Sequence, residues 1–152
     1  MSADEHVTVK VDLDEDYRFE VDFGQLGVMP LTVDEPPPLG GGHGPNPARL
    51  LAAATASCLA ASATFCLRRS RIEVEGMHAE ATATLGRNED GRWRIEGIRV
   101  QLRPEVAAKD AHRLGRCLEL FEDYCVVTQS VRAGIPIDVE VDPATQPARR
   151  AS

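Results

Sequence analysis

GGGHGPNPARLLAAATASCLAAS, Gly40 to Ser62, decides how the rest of the chain is read. Pro36, Pro37 and Pro38, then Gly40, Gly41, Gly42 and Gly44, can continue neither helix nor strand, so a loop is expected. Asn46 is a good N-cap, and Pro47 suits the first helical position, where its missing N–H costs nothing. The spacing then predicts a helix to about Arg69, apolar nearly all round and therefore central and covered on several sides. Leu50 to Leu67 is an 18-residue stretch without a charge, close to the length of a membrane span. Its alanines and the hydroxyls of Thr55, Ser57, Ser62 and Thr64 make transfer into lipid weak, so the reading is a buried soluble helix and no membrane partner.

Before this helix the sequence alternates with period two. Val7, Val9, Val11 and Leu13 form one apolar face, and Tyr17, Phe19, Val21 and Phe23 repeat it after a turn at Asp14 to Asp16. A third short run, Met29 to Val33, follows Gly24 and Gly27, so three antiparallel strands are expected. Beyond the helix, Ile72 to Leu85 and Arg92 to Leu102 read as long strands joined by a turn at Asn88 to Gly91. Each changes phase partway, at Gly76 and at Gly97, and a β-bulge at each glycine would restore one buried face and bend the sheet around the helix. A second helix is expected after Pro104, with Ala107, Ala111, Leu114, Leu118, Phe121 and Cys125 as its apolar stripe. A short third helix, Val126 to Arg132, stops at Gly134, and a last strand alternates through Ile135, Ile137, Val139 and Val141. The architecture predicted is α+β: a flexible N-terminus over 1–5, a single domain over 6–142 and a disordered tail over 143–152.

At 152 residues the chain suffices for one domain with a genuine core. A net charge of −7 with scattered Lys and Arg argues against binding nucleic acid or an anionic membrane surface. The first residues, MSADEHVTVKVD, lack the basic region, apolar run and cleavage site of a secretory signal, so a cytoplasmic location and four reduced cysteines are expected. There is no C-x-x-C, His6, His43, His78 and His112 lack ligand spacing, and Gly40 to Gly44 lacks the flanks of a phosphate loop. No metal and no cofactor are expected.

The remaining chemistry lies in the thiols. Cys58 sits about three turns into the central helix and Cys125 ends the later stripe, so both point inward if the two helices pack. A thiolate can attack a peroxide, become a sulfenic acid and condense with a second thiol. Burial opposes ionisation, and Cys58 is too deep in its helix for the N-terminal dipole to help. A cation must be brought to it, and Arg18 is the candidate. Cysteines on apolar helix faces are usually small core residues, and Cys66 and Cys117 are read that way.

The stretch Gly40 to Ser62 resembles the OsmC/Ohr (osmotically inducible protein C and organic hydroperoxide resistance) family, in which a glycine-rich loop and Asn-Pro lead into a helix carrying the peroxidatic cysteine. Cys58 matches that cysteine. LELFEDYCVVTQSV, Leu118 to Val131, resembles the family's second motif, and Cys125 matches the resolving cysteine. The resemblance implies an intertwined homodimer with antiparallel sheets wrapped around long central helices. It also implies reduction of organic hydroperoxides or hydrogen peroxide, and an external dithiol reductant. Arg18 matches the family arginine. The glutamate that follows the Asn-Pro in peroxidase members is Ala48 here, and the proline after the second cysteine is Val126. The other function open to such a chain is an OsmC-like small-ligand-binding protein without robust peroxidase activity.

Overall fold

A computed structural model describes residues 4–143. The flexible N-terminus and disordered tail expected from the sequence fall largely outside the described residues.

Three short antiparallel strands open the chain, β1 (Lys10–Glu15), β2 (Arg18–Asp22) and β3 (Leu31–Val33), in the order β1-β2-β3. The turn between β1 and β2 places Asp16 at φ 50, a left-handed conformation that a short polar side chain tolerates. Within one protomer the apolar face of β1 is left uncovered, with Val11 57% and Leu13 62% exposed. The loop after β3 folds back around Asp34, whose buried carboxylate accepts from the N–H groups of Gly41 and His43 and meets His43 Nδ1 at 2.9 Å. Gly44 passes so close to the backbone of Thr32 that a Cβ there would run into its carbonyl.

The central helix α1 spans Pro47–Arg69, with the Asn46 side chain accepting from the N–H of Arg49 at 3.1 Å as its cap. Start and end agree with the sequence reading. Three of its interior hydroxyls are self-satisfied: Thr55, Ser57 and Thr64 donate to the carbonyls of Leu51, Ala53 and Ala60. Ala52, Thr55, Leu59, Ala63 and Leu67 form the buried stripe, three to four residues apart.

The helix packs on a two-stranded antiparallel sheet of β4 (Val74–Arg87) and β5 (Trp93–Val106). The Asn88 side chain accepts from the N–H groups of Asp90 and Arg92 and Gly91 takes φ 74, which fixes the turn. Register slips occur between Val74 and Gly76 and between Thr84 and Leu85, the latter opposite Gly97, so both expected bulges are present.

Two expectations are corrected beyond this hairpin. β5 runs on through Pro104 to Val106, which a strand with an open edge accommodates because no ladder bond is lost there. The single second helix is replaced by a 3-10 segment (Ala108–Arg113), a short helix α2 (Leu114–Leu120) and a second 3-10 turn (Phe121–Tyr124). Ala111, Leu114 and Cys117 step by three, a spacing that serves 3-10 as well as α turns, while Gly115 weakens a continuous helix. Helix α3 follows (Val126–Ala133) and ends at Gly134 as expected. The strand expected over Ile135 to Val141 does not form: the segment pairs with no other strand among the described residues, and Ile137, Val139 and Val141 are exposed.

Among the described residues two adjoining apolar clusters form between α1, the hairpin and the return segment from Ala108 to Ala133. Leu59, Ala63, Phe121 and Cys125 make one; Leu67, Ile72 and Cys117 make the other, with Cys66 and Met77 touching both.

Candidate functional site: a paired thiol centre

Cys58 projects from α1 into the first cluster, where it is half-buried. Cys125 is wholly buried and reaches the same place by a different route from the one expected. It does not close a helical stripe but occupies the junction between the second 3-10 turn and α3, as the residue preceding the first helical position. Its extended backbone, φ −81 and ψ 100, turns the side chain back toward α1. The two thiols, so far apart in sequence, meet in one cluster, Cys58 packing against the group that contains Cys125.

The two sulfurs have unequal surroundings. Burial pushes the Cys58 thiol above its ordinary value, and the neighbouring Cys125 adds to that, against a smaller opposing pull from the N–H groups of Val127 and Val126. Burial also pushes Cys125 upward. There it is outweighed by hydrogen bonds from Cys58, from the hydroxyl and N–H of Thr128 and from Ser62, so the Cys125 thiol lies below its ordinary value. Thr128 Oγ1 stands 3.1 Å from Cys125 Sγ. Such a pair gives up one proton first, and the surroundings favour the charged form more at Cys125 than at Cys58. The sequence placed the thiolate on Cys58; within one protomer the donors converge on its neighbour.

Arg18 is not brought to the thiols in this protomer. Its Nε donates to Asp14 at 2.7 Å and its Nη2 to Glu15 at 2.9 Å, on the N-terminal sheet, and these carboxylates raise its pKa. Ala48 lies in the first turn of α1. Cys66 and Cys117, read from sequence as separate reduced core thiols, stand within disulfide distance of each other, with Cα atoms 5.8 Å apart. Among the described residues no group of three or more His, Cys, Asp or Glu side chains could hold a metal.

Sequence reasoning missed Ser62 and Thr128. Each lies one helical turn from a site cysteine, Ser62 four residues after Cys58 and Thr128 three after Cys125, and that spacing was the available signal. It also missed a cleft of about 480 Å³ between α1, β5 and α3, lined by Leu51, Leu59, Ile98, Val100 and Val131 among others, with Thr128 on its inner wall. Arg132 and Glu122, 2.7 Å apart, also line it.

Residues 40–140 match the model of a family described as OsmC-like protein. No curated protein is similar to the sequence. Among solved structures, the fold is similar to that of an OsmC-like protein from Mycoplasma pneumoniae, with TM-score 0.71 and 17% identity over 86% of this chain and 89% of that one. An OsmC-like protein of unknown function from Vibrio cholerae superposes with TM-score 0.68 at 18% identity, covering 83% of this chain and 93% of that one. An organic hydroperoxide resistance protein of Bacillus subtilis superposes with TM-score 0.59 at 20% identity, covering 84% and 91%.

Proposed function

Because this chain belongs to the OsmC-like protein family, we propose that it reduces hydroperoxides with the thiols of Cys58 and Cys125. The observation that carries this reading is a half-buried thiol packed against the cluster that holds a wholly buried one. A peroxide can reach Cys58 but not Cys125, so Cys58 is the attacking sulfur and Cys125 the resolving one. As the substrate arrives, the Cys125 thiolate takes the Cys58 proton. The Cys58 thiolate attacks one peroxide oxygen, the O–O bond breaks, and the alkoxide leaves and is protonated to the alcohol. Cys58 is then a sulfenic acid, and the Cys125 thiol condenses with it, releasing water and forming the disulfide. An external dithiol returns the pair to its reduced state.

Arg18 keeps the role of the cation that favours the Cys58 thiolate in transit, and in that role it must leave Asp14 and Glu15 or be supplied by a second protomer. A second protomer is expected on separate grounds. Only 28% of the apolar stretch of α1 is buried by its own chain, and the faces of β1 and of Ile135 to Val141 stand uncovered, so the working form is a homodimer. Peroxide consumption coupled to dithiothreitol tests the reading: turnover that persists in Cys58→Ser removes it. The second reading, a binding protein for a small apolar ligand, is favoured by the 480 Å³ cleft beside Thr128. Ligand retention in Cys58→Ser without peroxide turnover in the parent would select it.

A further inference from the structure

We propose that Cys66 and Cys117 are a second redox couple, separate from Cys58 and Cys125, which an external thiol reduces by attack at Cys66 and which, when oxidised, holds the Cys125 segment against α1. The inference goes beyond the peroxidase reading and stands without it.

The two couples are rungs of one ladder. Residues 58 to 66 on α1 span eight positions, as do 117 to 125 on the return segment, and the segments run in opposite senses, so each couple crosses the same gap. Eight residues of helix separate the rungs by about 12 Å, too far for a sulfur of one couple to attack the other. The second couple must therefore exchange with an outside reagent. Its burial is asymmetric in the way that requires: Cys117 is only 4% exposed, while Cys66 is half-buried and lines a cleft of about 410 Å³ with Phe65, Arg69, Ser70, Leu120 and Tyr124. Arg69 stands over the Phe65 ring at 5.8 Å, so a cation flanks the approach of an anionic thiolate.

The exchange balances as follows. An external thiolate attacks Cys66 Sγ, the bond to Cys117 breaks, and Cys117 leaves as a thiolate that takes up a proton. A second external thiol attacks the mixed disulfide, releasing Cys66 as a thiol and leaving the reagent as a disulfide. In the other direction a hydroperoxide oxidises Cys66 to a sulfenic acid, its alcohol leaves, and Cys117 condenses with loss of water. The mechanical consequence lies in α2. This seven-residue helix buries Cys117 alone and leads directly into the turn carrying Phe121 and Cys125, so the disulfide is its covalent tie to α1.

The full-length Cys58→Ser/Cys125→Ser chain isolates the couple. It is treated without denaturant, first with dithiothreitol and then with hydrogen peroxide, and free thiols are trapped by alkylation and mapped by mass spectrometry. Complete opening and re-closing of the Cys66–Cys117 bond in the folded chain is expected. A bond that opens only after unfolding, or thiols that stay alkylatable after peroxide, would overturn the redox assignment. Amide hydrogen exchange over residues 114–125 should quicken at least tenfold on reduction; equal protection in both states would overturn the tie. If the two serines unfold the chain, the same titration on the parent, with the couples told apart by peptide mapping, gives the same outcomes.

Discussion

Replacing Thr128 by valine removes one hydroxyl from the thiol centre while keeping the shape of the side chain. In the parent the Cys125 thiol donates to that hydroxyl at 3.1 Å, and on ionisation the hydroxyl turns to donate to the sulfur, one of several hydrogen bonds that outweigh burial and lower the thiol. A hydrogen bond to a charged group contributes about 1.5–3 kcal/mol, and one pKa unit corresponds to about 1.4 kcal/mol. The Thr128 N–H, Ser62 and Cys58 remain as donors, so the lower end applies, and the first ionisation of the pair should rise by about one unit. Below that ionisation the thiolate fraction, and with it the rate of peroxide reduction, should fall about tenfold. The pH profile of thiolate absorbance measures this directly, since Cys66 and Cys117 do not titrate while joined. The sign also appears in stability: a thiol lowered on folding contributes above its unfolded pKa and loses that contribution as pH falls through the folded one. Thr128→Val should therefore cost more at alkaline pH than at pH 6. A Thr128→Val titration that superposes on the parent, with unchanged peroxide kinetics, would refute the argument that Thr128 holds the charge.

Leu67→Ala empties a wholly buried site between the second cluster and the end of α1, and a loss of about 3–4 kcal/mol is expected in urea unfolding at fixed protomer concentration. The backbone N–H of His43, opposed by burial and aided by the His43 ring, holds the Asp34 carboxyl below the usual range. Its contribution is present above the unfolded carboxyl pKa and is lost as pH falls through the lower folded one, so Asp34→Asn should flatten the acid limb of the stability curve; a limb of unchanged steepness counts against this. Ala48→Glu restores the carboxylate that the family pattern places after Asn-Pro, and should speed peroxide reduction if it draws Arg18 away from Asp14 and Glu15. The same rate in Ala48→Glu and in Ala48→Glu/Arg18→Ala would exclude that pairing. Sedimentation should give a dimer, and a monomer that persists as concentration rises would contradict the uncovered faces.

The legible parts of the fold were those in which a local rule and the tertiary context agree. Asn46-Pro47 marks the start of α1 because cap chemistry is local, and Gly76 and Gly97 mark the bulges because a change of phase in an alternating strand has few other remedies. The return segment was misread because apolar residues three and four apart serve both 3-10 and α turns, and only packing around Cys117 and Phe121 decides between them. The segment Ile135 to Val141 has the right alternation but pairs with no strand among the described residues, and pairing is a fact about neighbours that periodicity does not contain. At the site, the meeting of Cys58 and Cys125 could be read from two motifs. The donors Ser62 and Thr128, and the joining of Cys66 to Cys117, depend on how the two segments face each other.

That facing is set at a distance by the hairpin. Val74 pairs with Val106, so β4 and β5 bring residues 74 and 106 side by side, and what remains between Cys66 and Cys117 is a short connection at each strand end. A ring of 51 residues by sequence behaves as a far smaller one once the hairpin has formed. The hairpin thus acts as a caliper: its turn at Asn88 to Gly91 sets the effective concentration at which distant sulfurs meet. An insertion or deletion in that exposed turn, seemingly remote from any cysteine, would displace both rungs at once, and its first symptom would be slow disulfide closure rather than lost stability.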